Sequence, residues 1–298
     1  MNKYFLFSGS SNKPLAKLVT QKLKTKLGKI ELKRFADGEC RVRIEENVEG
    51  KPVYLLQSLS DPVDEHFFEF ALMVNSAKRL NASKVIGIIP WLGYSKQDKA
   101  FRKGESVSTE VIAKMLTAIG LSKLIVFDLH SQDIRKYYKI PLLELSAKDV
   151  LAKSLNKYQN PIVICPDEGG KKRVTSFAKK YNFPIAYLKK KRNLKTGIVT
   201  YQDYAKDLKQ KTVIIFDDII NTGGTIVKSS NLLASSGAKN IIILTTHGVL
   251  AKDAAQKLQD SSASKIILTD TINIPSKKKL PKISIVSIAD IIANYIDK

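Results

Sequence analysis

The densest chemistry in this chain lies in one stretch, Val213-Ile214-Ile215-Phe216-Asp217-Asp218-Ile219-Ile220-Asn221-Thr222-Gly223-Gly224-Thr225. The apolar start reads as a buried strand that delivers two adjacent carboxylates at its end. Thr222-Gly223-Gly224-Thr225 then reads as a glycine loop that opens a helix. Glycines let a backbone approach an anion closely, and a helix N-terminus offers unpaired N–H groups with a favourable dipole. The threonine hydroxyls add donors. Carboxylates repel phosphate and suit a polyol or a metal. An anion loop beside an acidic pair therefore describes a phosphorylated sugar with free hydroxyls, the alternative being an N-capped turn with incidental acids.

Four further segments carry reactive side chains: Phe35-Ala36-Asp37-Gly38-Glu39, Gly93-Tyr94-Ser95-Lys96-Gln97-Asp98-Lys99, Asp128-Leu129-His130-Ser131 and Pro166-Asp167-Glu168-Gly169-Gly170. Phe35 with Asp37 and Glu39 can stack a base and accept from an exocyclic amine and a ribose hydroxyl. On its own, a polar β-turn at Asp37-Gly38 is the plainer reading. His130 lies just past a strand's C-terminal end, where α/β folds place their sites, although a lone histidine is more often structural. Asp167 also follows a buried run, Ile162 to Cys165. The stretch Tyr187-Leu188-Lys189-Lys190-Lys191-Arg192-Asn193-Leu194-Lys195-Thr196 is a charge run, by itself a solvated face. His66 and His247 match no motif and receive no role.

These residues need a frame, and the pattern supplies one. Val53–Gln57, Val85–Ile89, Leu124–Asp128, Ile162–Cys165, Val213–Asp217 and Ile241–Thr245 read as strands buried on both faces. Between them lie amphipathic stretches. Pro14 suits a first helical turn, Leu15, Leu18, Val19, Leu23 and Leu27 form a face, and Gly28 supplies the stop. A second helix starts at Asp64 and turns Phe67, Phe68, Ala71 and Leu72 inward. Alternating strands and helices predict an α/β class with parallel sheets. The segment Ser76–Ile89 resembles Leu232–Leu244 in its helix, turn and strand order, which suggests two similar domains joined near Glu144–Asp149.

Composition narrows the class further. The 298 residues, 44% hydrophobic and 26% charged, suffice for about two domains and read as globular rather than disordered or fibrous. No run approaches the ~18 apolar residues of a membrane span, and the apolar run Tyr4–Phe7 is too short for a signal segment; a cytoplasmic protein without membrane partners is expected. Two cysteines, Cys40 and Cys165, cannot form a disulfide framework or a cysteine-rich zinc site. The net charge of +22 attracts phosphate, on nucleic acid or on a small substrate, and a solvated lysine-rich surface explains it equally well. Clustering favours an anion site, because Lys171–Lys211 holds 13 basic residues against two acidic ones. No nucleic-acid recognition motif accompanies the charge, so no nucleic-acid partner is expected.

The Val213–Thr225 segment resembles the phosphoribosyl-diphosphate-binding loop of the phosphoribosyltransferase fold. The four other segments resemble those of ribose-phosphate pyrophosphokinases, in the same order and spacing across essentially the whole chain. Ordinary phosphoribosyltransferases are shorter, with one such domain. The resemblance implies two phosphoribosyltransferase-like domains, residues 1–146 and 147–298, with the last segment packing back on the first. It implies transfer of a diphosphoryl group from ATP to ribose 5-phosphate, with Mg²⁺, in a step that feeds nucleotide biosynthesis. By the same resemblance, Phe35, Asp37, Glu39, Lys96, Gln97, Asp98 and His130 contact ATP, and His130 and Asp167 serve the metal. Asp217, Asp218, Asn221, Thr222, Gly223, Gly224 and Thr225 hold ribose 5-phosphate. Lys190 and Arg192 begin a catalytic loop.

The resemblance further implies a homo-oligomer, at least a dimer and in many members a hexamer, with the ATP site at a subunit interface. Three departures stand out. Lysine replaces the usual arginine at Lys96 and Lys99, keeping the charge and losing the planar fork. Asn221 stands where many members have aspartate. Glu49, in Glu45-Glu46-Asn47-Val48-Glu49-Gly50-Lys51, corresponds to an arginine of the family's regulatory anion pocket. A catalytically silent paralogue and a phosphoribosyltransferase are the alternative readings.

Overall fold

The computed structural model of the chain describes residues 3–165, 169–192, 199–203 and 208–298, without the side chains of 188–192 and 199–203. It divides into two compact units: residues 1–147 with 271–273 and 287–298, and residues 148–270 with 274–286.

The first unit runs β1 (Phe5–Ser8), α1 (Lys13–Lys22), β2 (Ile30–Arg34), β3 (Cys40–Ile44), β4 (Pro52–Leu56), α2 (Val63–Arg79), β5 (Lys84–Ile89), α3 (Ser108–Ala118), β6 (Lys123–Phe127) and β7 (Leu142–Leu145). Five strands form a parallel sheet in the order β1-β4-β5-β6-β7, while β2 and β3 pair separately as an antiparallel hairpin. The apolar runs are buried because helices cover them. Val53, Leu55, Val85, Ile89, Leu124 and Val126 pack against Phe67, Phe70, Met73, Val74 and Ala77 of α2 and Ile112, Ala113 and Leu116 of α3. Gly87 belongs to this contact, since a Cβ there would stand 2.7 Å from the Phe70 ring.

The second unit runs α4 (Lys148–Lys153), β8 (Ile162–Cys165), α5 (Lys171–Lys180), β9 (Ile185–Arg192), β10 (Val199–Asp203), β11 (Thr212–Ile220), α6 (Gly224–Ser235), β12 (Asn240–Gly248), α7 (Ala254–Asp260), β13 (Lys265–Thr269) and β14 (Ile283–Val286). Its sheet has the order β10-β9-β8-β11-β12-β13-β14, parallel except for the β9–β10 pair. Alternate residues of β11 and β12 serve opposite faces. Val213, Ile215, Ile241 and Ile243 meet α6 and α7, while Ile214, Phe216, Ile242 and Leu244 meet α4 and α5. The chain ends in α8 (Ala289–Ile296), part of the first unit, where Lys22 of α1 pairs with Asp290 at 2.8 Å. No helix among the described residues is long and apolar enough to cross a membrane.

Two parallel-sheet units match the expected class, and the six expected strands form with ends shifted by up to three residues. Two helical details differ. Helix α1 stops at Lys22, because Lys24 turns into the left-handed region at φ 52°. Gly28 lies beyond the helix and is needed for close packing: a Cβ there would meet the Phe7 ring at 2.3 Å. In α2 the buried residues are Phe67, Glu69, Phe70, Met73, Val74 and Ala77, leaving Phe68 56% exposed and Ala71 and Leu72 half-buried. A single-residue step of 100° carries Phe68 off the buried stripe.

Candidate active site

Strand β11 ends in the acidic pair, and the chain turns through Asn221–Gly223 into α6. Gly223 has φ 74° and caps the helix without any side-chain hydrogen bond, whereas α1 is capped by the Asn12 side chain. Among the described residues no side chain caps the first-turn N–H groups of α6, as an anion site requires. A cavity of about 180 Å³ opens there, lined by Asp217, Ile219, Ile220, Asn221, Thr222, Gly223, Gly224, Thr225 and Ile226. The loop is braced from behind. Leu250 and Ala251 donate backbone N–H groups to the carbonyls of Ile220 and Asn221 at 3.0 and 2.9 Å, and Gly223 stands close to Leu258 and Ala254 of α7.

Arg173, in the first turn of α5, reaches the acidic pair. Its Nη1 lies 2.6 Å from Asp217 Oδ1 and 2.8 Å from Asp218 Oδ1. Burial pushes the Asp217 carboxyl well above the ordinary carboxylate range, the neighbouring Asp218 adds to this, and Arg173 partly offsets it. A cation held against two carboxylates was not legible in the sequence, where Arg173 is one of many basic residues.

The first unit collects its site residues around the first turn of α2. Hairpin residue Arg34 donates from Nη1 to the Gly38 carbonyl at 2.7 Å and pairs through Nη2 with Glu65. This fixes the tip, where Phe35 is 52% exposed with the Arg41 guanidinium 5.9 Å from its ring centroid. The Asp37 carboxylate accepts the Glu39 N–H at 3.1 Å, so the expected polar turn is present as well. Tyr94, at φ 64°, donates its hydroxyl to Asp64, next to Glu65. The following residues are Lys96, half-buried with its ammonium lowered in pKa by desolvation, Gln97, which accepts from Ser108, and Asp98.

Tyr137 donates to the Asp98 carbonyl at 3.1 Å, which links this segment to the turn after β6. That turn carries the half-buried His130. It is held by Asp128, whose carboxylate accepts from Ser146 Oγ and the Ala147 N–H, and by Glu144, which accepts the Leu129 N–H. His66 bonds the Ser60 carbonyl through Nδ1 and His247 is buried. Neither lines the acidic-pair cavity.

Lys190 and Arg192 stand on β9, in register with Tyr201 and Val199 of β10; their side chains, like all of Asp167, lie outside the described residues. Among the described residues no three His, Cys, Asp or Glu gather as a metal cage. Magnesium does not require one, because it takes oxygen donors, keeps waters and shares substrate phosphates. Asp217 offers such oxygens in the cavity wall, with Asp218 buried next to it, and the imidazole of His130 is a poorer match.

Comparison with known proteins gives this geometry a family. Residues 4–120 match the family described as the N-terminal domain of ribose phosphate pyrophosphokinase, and residues 133–280 match the phosphoribosyl transferase domain. The ribose-phosphate pyrophosphokinase of Fusobacterium nucleatum is 35% identical over 301 residues, covering 100% of this chain and 95% of the relative. That of Thermotoga maritima is 35% identical over 99% of this chain and 94% of its own length. The crystal structure of phosphoribosylpyrophosphate synthetase from Mycobacterium smegmatis superposes with a TM-score of 0.91 at 32% identity, covering 99% of this chain and 98% of that one. A full-length sequence match and a shared two-unit fold together make this chain a member of the ribose-phosphate pyrophosphokinase family.

Proposed function

We propose that the protein transfers the diphosphoryl group of ATP to the anomeric hydroxyl of ribose 5-phosphate, giving 5-phosphoribosyl 1-diphosphate and AMP. The carrying observation is the cavity at the α6 N-terminus with Asp217 on its wall, in a chain of this family. The 5-phosphate takes the N–H groups and hydroxyls of Thr222–Thr225, and the ribose hydroxyls face Asp217 and Asp218. The nucleotide is held by Phe35, Asp37 and Glu39 of the hairpin, by Lys96–Asp98 and by His130.

In the transfer the anomeric oxygen forms a bond to the β-phosphorus of ATP. The bond from that phosphorus to the α,β-bridging oxygen breaks, AMP leaves with that oxygen, and the hydroxyl proton passes to solvent. Negative charge spreads over the transferred group, so positioning and electrostatic stabilisation carry the rate. Lys190 and Arg192 supply positive charge to it. Magnesium, when bound, neutralises the phosphates, with Asp217, Asp218 and Asp167 as its protein oxygens. Asn221 accepts from a sugar hydroxyl without serving as a base.

Incubation with ATP, Mg²⁺ and ribose 5-phosphate should release AMP in step with phosphoribosyl diphosphate. Binding of both substrates without AMP would instead identify a silent homologue. Size-exclusion chromatography with light scattering should show at least a dimer, the nucleotide site being shared between subunits.

A further inference from the structure

Adjacent residues of a strand project to opposite faces of a sheet. Asp217 and Asp218 are adjacent within β11, yet both carboxylates are drawn to one nitrogen, Arg173 Nη1, at 2.6 and 2.8 Å. Asp217 Oδ1 also accepts the Asp218 N–H at 2.9 Å, which fixes its rotamer from a second side. The Arg173 side chain is 21% exposed, that of Asp217 27% and that of Asp218 4%, so water screens the Asp218 contact the more weakly of the two. Without the cation, two like charges would share a largely dry strand end and rotate apart.

Resting on the ribose 5-phosphate reading of the cavity, we propose that Arg173 is the positioning residue of sugar recognition. It gathers the two carboxylates onto one side of the strand end, with Asp217 in the cavity wall where the sugar hydroxyls enter and Asp218 buried beside it, and it is the resident counter-cation of the pair. It makes no contact with the 5-phosphate, and its work lies before the chemistry. The helix geometry supports this role, since Arg173 sits in the first turn of α5, whose backbone the sheet fixes through Val174 and Phe177.

Titration calorimetry with ribose 5-phosphate, and separately with ATP, on the wild type, Arg173→Gln and Arg173→Lys tests the proposal. Arg173→Gln should bind ribose 5-phosphate at least tenfold more weakly, with the ATP affinity unchanged. Arg173→Lys should recover part of the loss, because it keeps the charge and loses the planar fork. In steady state the KM for ribose 5-phosphate should rise far more than kcat falls. Unchanged or tighter sugar binding in Arg173→Gln would overturn the proposal, and retained ATP binding shows that such a result comes from folded protein. A wild type that binds ATP and not ribose 5-phosphate would instead overturn the reading of the cavity, and this proposal with it.

Discussion

Asp217→Asn should make the protein more stable at neutral and alkaline pH while weakening sugar binding. Burial and the neighbouring Asp218 raise the pKa of Asp217 in the folded state, so its ionised form is disfavoured by folding. Below the unfolded value of 3.8 both states are protonated and the carboxyl costs nothing. As pH rises through the window up to the folded value the cost grows, and above it the cost is constant. Asparagine cannot ionise and escapes it. Arg173 is not orphaned by the change, since Asp218 stays 2.8 Å away.

A displacement of one pH unit is worth about 1.4 kcal/mol, and that of Asp217 exceeds one unit. A gain of at least about 1.4 kcal/mol corresponds to a Tm rise of about 3–6 °C for a domain of this size. Thermal melts of wild type and variant from pH 4 to pH 8.5 should show curves that converge at the acid end and separate through the middle of the range. Calorimetry should show weaker ribose 5-phosphate binding by the variant. A lower Tm at pH 8.5, or a gain of equal size at every pH, would refute the reasoning that a strained charge is kept there for the ligand.

Lys190→Ala should lower kcat by a factor of about 10² to 10³ with little change in KM, as expected when a charge acts on the transition state; undiminished turnover would move the role to Lys191. At Gly224 a Cβ meets nothing within 4 Å, so Gly224→Val should fold with a wild-type Tm yet lose ribose 5-phosphate binding by calorimetry and keep ATP binding. Glu49 is exposed and, on the resemblance to the family, replaces an arginine of the regulatory anion pocket; on that correspondence, steady-state rates in phosphate-free buffer should equal those with added phosphate.

Six inner strands were legible because burial on both faces leaves continuous apolar runs, as in Val213–Phe216 and Leu124–Phe127, while β1, β7, β9, β10, β13 and β14 were not read from the sequence. The phosphate loop was legible because glycines and hydroxyls follow an acidic strand end at short range. Long-range electrostatics were not. Nothing local marks Arg173 among the 50 basic residues as the one that meets Asp217 and Asp218, 44 and 45 positions later in the chain. The hairpin clamp was hidden for the same reason: Arg34 and Glu65 are 31 residues apart, and only the packing of α2 beside β3 brings them into reach. The end of α1 was misplaced because an apolar face continues to Leu27 while the backbone leaves the helix at Lys24.

Backbone strain follows the same division. Outside glycine, a left-handed residue costs roughly 1–3 kcal/mol unless its side chain is suited to it. Asn81, Asn160 and Asn182 are so suited, and they occupy ordinary turns. Asp128 is suited in the same way; Lys24, Tyr94, Gln210, Leu250 and Lys252 are not, and of these Tyr94, Leu250 and Lys252 follow the C-terminal end of a strand that bears site residues or braces the sugar loop, while Lys24 and Gln210 occupy turns elsewhere. Each group has its restraint. Tyr94 is tied to Asp64, and Asp128 to Ser146 and Ala147. Leu250 donates to the Ile220 carbonyl and accepts from Lys278 Nζ at 2.6 Å, which holds the turn that also carries Lys252. At Tyr94 and Leu250 a residue type that disfavours the conformation is held in it by hydrogen bonds, in the turns that present Lys96 and brace the Asn221 loop. At these two turns rigidity is thus maintained against local preference, so that the groups they hold are already in place before a substrate arrives.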